Sequence, residues 1–505
     1  MFACLAPIVN VPGTVCWLGG QPAITLGAAM SLAPPPPVST NPLRRLVDDL
    51  RVELSADVPF PPGDTKPSLA RTKRFAEHPL PLLLDAYERY GPVFTLRIFH
   101  GRVVFMLGPE ANHYVTVSHA DNFRWRDGHM GDLIPLLGDG LLTIDGEFHR
   151  RSRKAMLPVF HRERIAKATE TIVEEAARAV EAITPGARLD LYHWTRRLAL
   201  RIAMRALFGL DPDRAARDFD AAKAFEDALS YYSRDYFLQV ARGPGSPFRR
   251  MQQARAQLDR LILGEIARRR RTGERGDDLL SLLLDAHDED GAQLDDDHVR
   301  DEVMTLLFAG HDTTTSTVAF LFYELSRNPE VCERLEDELD GVDAIAPEHV
   351  GGTALPYLEM VVDETLRKYP PAWVGPRRSN RPFTFAGVQV PGNAFVNYCS
   401  WASHHLPHVF PQPEAFRPER FTAEARAKLP KGAYVPFGGG SRTCIGMRFG
   451  QVEVRAIAAL LASRFRLTVA PGYRLRIRQM PTIGPRDGLP VDVARRDRPR
   501  LRAAA

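Results

Sequence analysis

Phe437-Gly438-Gly439-Gly440-Ser441-Arg442-Thr443-Cys444-Ile445-Gly446 is the stretch that decides how this chain is read. A single cysteine sits in a loop of small residues, directly ahead of an amphipathic pattern over 447–461. Consecutive glycines let the backbone approach something large and flat, because no side chain intervenes. The helix that follows would aim its N-terminal amides and the positive end of its dipole at the sulfur, favouring thiolate over thiol. A thiolate held in that way is a soft, electron-rich metal ligand. An isolated cysteine is more often a small buried hydrophobe, so the loop's chemistry alone leaves both readings open.

The complete string narrows them. Phe437, Gly440, Arg442, Cys444 and Gly446 are similar, at every spacing, to the haem-binding loop F-x-x-G-x-R-x-C-x-G of the cytochrome P450 family. The resemblance runs from about residue 79 to residue 493, with the family's motifs in order. It implies a mainly α fold with small β-sheets, haem b held through the Cys444 thiolate, and O2 as co-substrate. Phe437, Arg442 and Gly446 would contact that cofactor.

Composition agrees with a large globular enzyme. An apolar share of 44% over 505 residues supports a sizeable core, and a net charge of +4 is too small to imply nucleic acid. Cys4, Cys16, Cys332, Cys399 and Cys444 are few, odd in number and widely spaced, which points to a reducing compartment without a disulfide framework. The first 43 residues carry no charge. Pro7, Asn10, Pro12, Gly13, Gly19, Gly20 and Pro22 nevertheless interrupt every run approaching the roughly 20 apolar residues of a membrane span. No basic segment precedes them, as a secretory signal requires. Pro34–Pro37 and Arg44-Arg45 resemble the hinge that follows the anchor of microsomal relatives, so attachment stays a second reading. The expectation is a cytoplasmic monomer without a firm membrane anchor. Residues 1–42 would form a disordered Pro-rich arm, with Met30 as an alternative start, and 43–505 one haem domain.

Helical patterns are expected over 82–90, 164–182, 189–208, 216–231, 248–271, 278–286 and 298–327. Strands are expected over 93–98, 103–107, 383–390 and 465–469, with a hairpin between 476 and 493. No internal repeat or long linker divides the chain, so one large domain is expected. Four arginines over 268–271 are read as a solvated helix end favoured by the dipole.

The 298–327 helix would be about 45 Å long, enough to cross a domain. Ala309-Gly310-His311-Asp312-Thr313-Thr314-Thr315 in its middle combines glycine with weak helix formers. Either the hydroxyls bond back to carbonyls one turn earlier, or the helix widens there to open a pocket. The segment resembles the family's A-G-x-D/E-T motif. That resemblance makes Gly310 the groove for dioxygen, Thr313 its hydrogen-bond donor and Asp312 a proton relay. Glu364 and Arg367, three apart, share a helix face. They match the family's buried E-x-x-R, and Arg420 its third, structural member. His149 and Arg153 have the family's H-x-x-x-R spacing, and Arg377 matches a strand arginine; with Arg442 they would hold the haem propionates. His404, His405 and His408 are rejected as a metal site, because the family's counterpart segment binds none.

By position, Phe308, Ala309, Val374 and Ile483 are nominated for the substrate pocket. The loop 123–137, a lid at 231–237 hinged at Gly243-Pro244-Gly245, Leu306, the turn 372–375 and the tip 480–483 are nominated with them. Their side chains point to a fatty acid, terpenoid or steroid. No flavin or ferredoxin module follows Ala505, so electrons are expected from a separate ferredoxin or flavodoxin and its NAD(P)H reductase. Lys431, Arg442, Arg448 and Arg455 would offer that partner a basic face. The reading is a haem-thiolate monooxygenase inserting one oxygen atom from O2. The alternatives are a peroxygenase using hydrogen peroxide, against which Asp312-Thr313 speaks, and a non-oxidising haem sensor.

Overall fold

The computed structural model describes residues 41–210, 220–232, 236–287 and 293–496. The arm expected over 1–42 therefore lies almost wholly outside the described residues, as do parts of the 216–231 helix and the 231–237 lid. The helices that shape the site are α1 (Pro42–Leu54), α2 (Pro79–Tyr90), α3 (Gly146–Met156), α4 (Leu191–Ile202), α5 (Pro247–Thr272), α6 (Asp296–Arg327), α7 (Pro356–Lys368) and α8 (Met447–Arg464). Local signals set their ends. Asp295 caps α6 by accepting the His298 amide at 2.7 Å, Asp296 and Asp297 add negative charge to its first turn, and Asn328-Pro329 ends it. Gly91 ends α2 at φ 84°.

Strands β1 (Gly63–Asp64), β2 (Val93–Ile98), β3 (Gly101–Met106), β4 (Phe123–Arg124), β5 (Gly375–Ser379) and β6 (Phe395–Tyr398) form one sheet in the order β1-β2-β3-β6-β5-β4. β2 and β3 pair antiparallel around a turn at Phe99-His100, while β3 and β6 run parallel. The single strand expected over 383–390 is a small hairpin instead, because Ala386 and Gly387 turn the chain at φ 50° and 78°. The expected 476–493 hairpin is also redistributed. Ile477–Arg478 pairs with Gly484–Pro485, whereas Pro490–Arg495 pairs with Phe465–Val469 and with Arg188–Asp190. That last strand is why α4 begins at Leu191 rather than 189.

The core has two large parts. One lies between helices and includes Leu198, Val303, Leu307, Leu358 and Ile457; the other joins α2 to the sheet through Leu82, Leu83, Phe94, Phe105 and Trp373. Each such side chain contributes about 1.5–3 kcal/mol on burial. α1 closes over the sheet with its charged side inward: Asp49 lies 3.1 Å from His100 and 3.4 Å from Arg378, and Arg45 pairs with Asp132. Its exposed side carries Leu43, Val47, Leu50 and Leu54.

Candidate active site

A cavity of ≈ 660 Å³ opens between the two parts of the core. Leu207, Leu306 and Phe308 line it from the helical part, Val103, Phe105 and Trp373 from the sheet part. Cys444, Gly310 and Thr313 line the same cavity, so the two motifs farthest apart in meaning meet in one space.

The cysteine loop is folded by its own backbone. The Cys444 amide donates to the Phe437 carbonyl at 2.9 Å and the Thr443 amide to Gly440 at 3.1 Å, after which α8 starts at Met447. Cys444 lines the cavity and is exposed there. Burial pushes its pKa up, and the Gly446 amide and Arg153 oppose that rise. The favourable pull of the helix start is thus present but is not the dominant influence on the free thiol. The glycines also divide their work. Gly438 lines the cavity, whereas a Cβ on Gly440 would fall 2.1 Å from the Thr116 carbonyl oxygen. The expected close approach is therefore, at Gly439 and Gly440, an approach to the chain around Thr116.

Around the loop, cations gather with few anions. His149, Arg153 and Arg442 line the cavity. Arg442 bonds Asp145 at 2.7 Å and the Ile144 carbonyl at 2.9 Å, while Arg153 has no carboxylate partner among the described residues. Burial, then Arg442 and Arg153, depress His149 to about 3, so its imidazole is neutral. Burial lowers Arg442 to about 10. An under-neutralised cluster of this kind fits the two carboxylates of haem, and the Cys444 sulfur beside it fits the iron. Arg377 differs from expectation. It is buried off the cavity wall, 3.7 Å above the Trp125 ring and 5.3 Å from Tyr398, and its Nη1 donates to the Pro376 carbonyl. Trp125, from the nominated loop 123–137, and Tyr398, which sequence reasoning did not single out, take the lining positions.

On α6 the ladder is not interrupted; helix runs unbroken from Asp296 to Arg327. The hydroxyls bond back one turn, Thr313 to the Ala309 carbonyl at 2.8 Å, Thr315 to His311 at 2.6 Å and Thr317 to Thr313 at 2.9 Å. Of the two readings the back-bonding one holds and no widening is present, so the open space at this turn comes from Gly310, whose missing Cβ would meet nothing closer than 3.9 Å. Asp312 is fully buried behind the wall rather than on it. Arg196 donates to its Oδ1 at 3.2 Å, Arg478 lies 3.5 Å from the same oxygen, and the Thr482 hydroxyl donates to Oδ2. Although burial works in the opposite direction, Arg478 and Arg196 hold the carboxyl below its usual range. Thr314 adds an unforeseen contact, donating at 2.7 Å to Glu453 of α8, whose carboxyl burial pushes up to about 8. No local signal marks Arg196, Arg478 or Glu453 in the sequence, since each reaches α6 from a distant segment.

The scaffold triad forms as the resemblance implied. Glu364 accepts Arg367 Nε at 2.7 Å and Nη2 at 2.9 Å, and Arg420 Nε at 3.3 Å. Arg367 also donates to the carbonyls of His404 at 3.0 Å and Pro413 at 2.8 Å. His404 takes part through both ring nitrogens, toward the Arg367 carbonyl and the Val435 amide, so it is committed to backbone rather than metal. Of the nominated pocket residues, Phe308, Ala309 and Val374 line the cavity. Ile483 does not. Its side chain is fully buried in the apolar cluster with Leu82 and Trp373, and its carbonyl accepts the Ser316 hydroxyl; Thr482 and Met480 face the cavity instead. In an extended segment neighbours point opposite ways, so a one-residue error in register exchanges wall for core. The basic face is likewise reduced. Arg442 turns inward and Arg455 is buried, leaving Lys431 and Arg448 exposed.

The Cytochrome P450 family model matches residues 61–484. Cyclooctat-9-en-7-ol 5-monooxygenase of Streptomyces melanosporofaciens is 34% identical over 422 residues, 82% of this chain and 90% of that protein. Pentalenene oxygenase of Streptomyces avermitilis is 29% identical over 346 residues, 68% of this chain and 76% of that protein. Among solved structures, the retinoic acid bound cyanobacterial CYP120A1 aligns with a TM-score of 0.77 at 27% identity, over 87% of this chain and 100% of that one. The chain belongs to the cytochrome P450 family and is an oxidoreductase of the monooxygenase type.

Proposed function

We propose that this P450 inserts one oxygen atom from O2 into an isoprenoid, using haem b ligated by Cys444 and electrons from a separate ferredoxin or flavodoxin. The observation that carries the reading is the apolar cavity shared by Cys444, the His149–Arg153–Arg442 cluster and the Gly310–Thr313 turn of α6. The compounds for which the two relatives are named, and the retinoic acid in the solved structure, are isoprenoids, which favours that class over the fatty acid and steroid alternatives.

Cys444 would hold the iron, with His149, Arg153 and Arg442 on the propionates. Bound haem supplies the activation of O2 that simple side chains cannot provide. The chain's own residues then have separate tasks. Phe308, Ala309 and Val374 hold an apolar substrate and exclude water. Thr313, already on the wall, offers its hydroxyl at the groove beside Gly310. Asp312, locked as a carboxylate between Arg196 and Arg478, carries no proton at rest. To serve Thr313 it must loosen one arginine and turn toward the cavity.

The test is the spectrum of the reduced protein with carbon monoxide. A red-shifted Soret band, lost in Cys444→Ser, is expected; a variant that keeps the band would sink the ligand assignment. Ligand screening for a low-to-high-spin shift tests the class: terpenoids are expected to give the shift, and a response to fatty acids or steroids alone would overturn that reading.

A further inference from the structure

One wall of the cavity does not balance its charge. Arg478 ends the short strand Ile477–Arg478 and lines the cavity. Its Nη2 donates to the Tyr192 hydroxyl at 2.7 Å and lies 3.5 Å from Asp312 Oδ1, the oxygen that Arg196 also takes at 3.2 Å. Asp312 is the one carboxylate paired with either arginine among the described residues. Of the titratable groups around this trio, burial drives His311 down to about 4 and the Tyr192 phenol up, so both are neutral, while His193 beside Arg196 is engaged by its own carboxylates, Asp190 at 2.8 Å and Glu226 at 3.6 Å. Guanidinium does not deprotonate in proteins, so two fixed positive charges share one negative charge.

Unbalanced buried charge is expensive unless a counterion arrives. The hydrogen bonding is incomplete in the same place. Nε of both Arg196 and Arg478 is buried without a partner. Nη1 of Arg478 donates to no described protein atom, and 13% of the side chain stays open. Apart from Arg486, which follows the paired strand, the lining here is neutral or apolar: Gln479, Thr482, Met480 and Phe308.

We propose that Arg478 anchors a carboxylate on an otherwise apolar substrate. A monoanion supplies the single missing negative charge, and its two oxygens match the planar fork of the guanidinium. An alcohol could accept one bond but would leave the charge unbalanced. The inference rests on the cavity being the substrate site of the proposed monooxygenase, and it adds a polar end to the isoprenoid.

Calorimetric titration of the haem-loaded protein at pH 8 with geranylgeranoic acid and with geranylgeraniol tests this. These ligands share a skeleton and differ at the polar end. Wild type should bind the acid roughly ten- to a hundredfold more tightly than the alcohol, the range for a charge-assisted bond. Arg478→Gln, whose amide can still donate one neutral bond, should remove the preference by weakening the acid while leaving alcohol affinity unchanged. Arg478→Lys, which keeps charge without the fork, should retain part of it, and it decides the matter should the glutamine variant not fold. No preference in wild type, a preference surviving Arg478→Gln, or equal weakening of both ligands overturns the anchor. The carbon monoxide spectrum of the same preparations separates the two readings. A red-shifted band without acid preference refutes the anchor alone, and a missing band refutes the haem-thiolate reading.

Discussion

Arg367→Ala should be the most damaging single change away from the cavity. Arg367 and Glu364 are both fully buried, and the substitution strands the Glu364 carboxylate with only the Arg420 contact at 3.3 Å and the Arg417 amide at 2.9 Å. Breaking a buried pair costs about 3–5 kcal/mol. The carbonyls of His404 and Pro413 lose their donor as well, adding on the order of 1–3 kcal/mol. The sum is comparable to the whole stability of an ordinary domain, about 5–15 kcal/mol. Arg420→Ala is the internal control: it removes one longer bond from a residue at the edge, so about 1–2 kcal/mol is expected. Unfolding entropy scales with length, and for a chain of this size 1 kcal/mol corresponds to roughly 1 °C. Scanning calorimetry at one scan rate should therefore show a drop of about 5 °C or more for Arg367→Ala and about 1–2 °C for Arg420→Ala. Arg367→Lys should not rescue, since an ammonium cannot reproduce the fork. Equal drops for the two alanine variants would refute the reasoning.

Glu302 and Glu453 are fully buried carboxyls whose pKa burial raises to about 8. Folded protein keeps their protons while unfolded protein loses them above about 4.5, so each lowers stability as pH rises, by at most about 1.4 kcal/mol per pH unit. His404 and His405, depressed to about 3, act oppositely, and their stability is lost as pH falls below about 6.5. Between pH 6.5 and 8 the carboxyl trend runs in the same direction as that of His193, whose pKa its Asp190 hydrogen bond raises, so denaturant unfolding of apoprotein carrying Glu302→Gln and Glu453→Gln should show the slope flattened but not abolished; an unchanged slope would count against protonated carboxyls. Thr313→Ala should release more hydrogen peroxide per NAD(P)H without lowering the unfolding temperature, whereas Asp312→Ala, which strands Arg196 and Arg478, should destabilise as well; unchanged coupling in Thr313→Ala would remove its role. Ile483→Ala should cost about 2–5 kcal/mol and leave ligand selectivity alone, whereas Phe308→Ala should alter selectivity. A selectivity change from Ile483→Ala would place its side chain on the wall.

What could be read from the sequence was what the chain encodes over a few residues. The cysteine loop, the Gly310–Thr313 turn and the Glu364–Arg367 pair each span less than three helical turns, so their spacing already fixes which groups meet. Helix ends were legible for the same reason, at Gly91 and at Asp295. Errors arose where the answer depends on a distant partner. Gly439 and Gly440 look like cavity glycines until Thr116 arrives against them, and Arg442 and Arg455 look like surface cations until Asp145 and the Gly352 carbonyl take them inward. Ile483 and Thr482 differ by one place in a short extended segment, where the side that faces the core is decided by Leu82 and Trp373.

Asp312 joins both kinds of information. Its position next to Thr313 is local and announces a proton relay. Its state is not local, because Arg196 lies 116 residues before it and Arg478 lies 166 residues after it. A carboxylate proposed as a relay that is also, among the described residues, the one counterion of Arg196 and Arg478 cannot move without leaving charge behind. Any anion that takes Arg478 from the cavity side weakens one of the two holds on Asp312. The residue that recognises a carboxylate substrate would then be the residue that frees the relay, and neither half of that coupling could be seen from the motif alone.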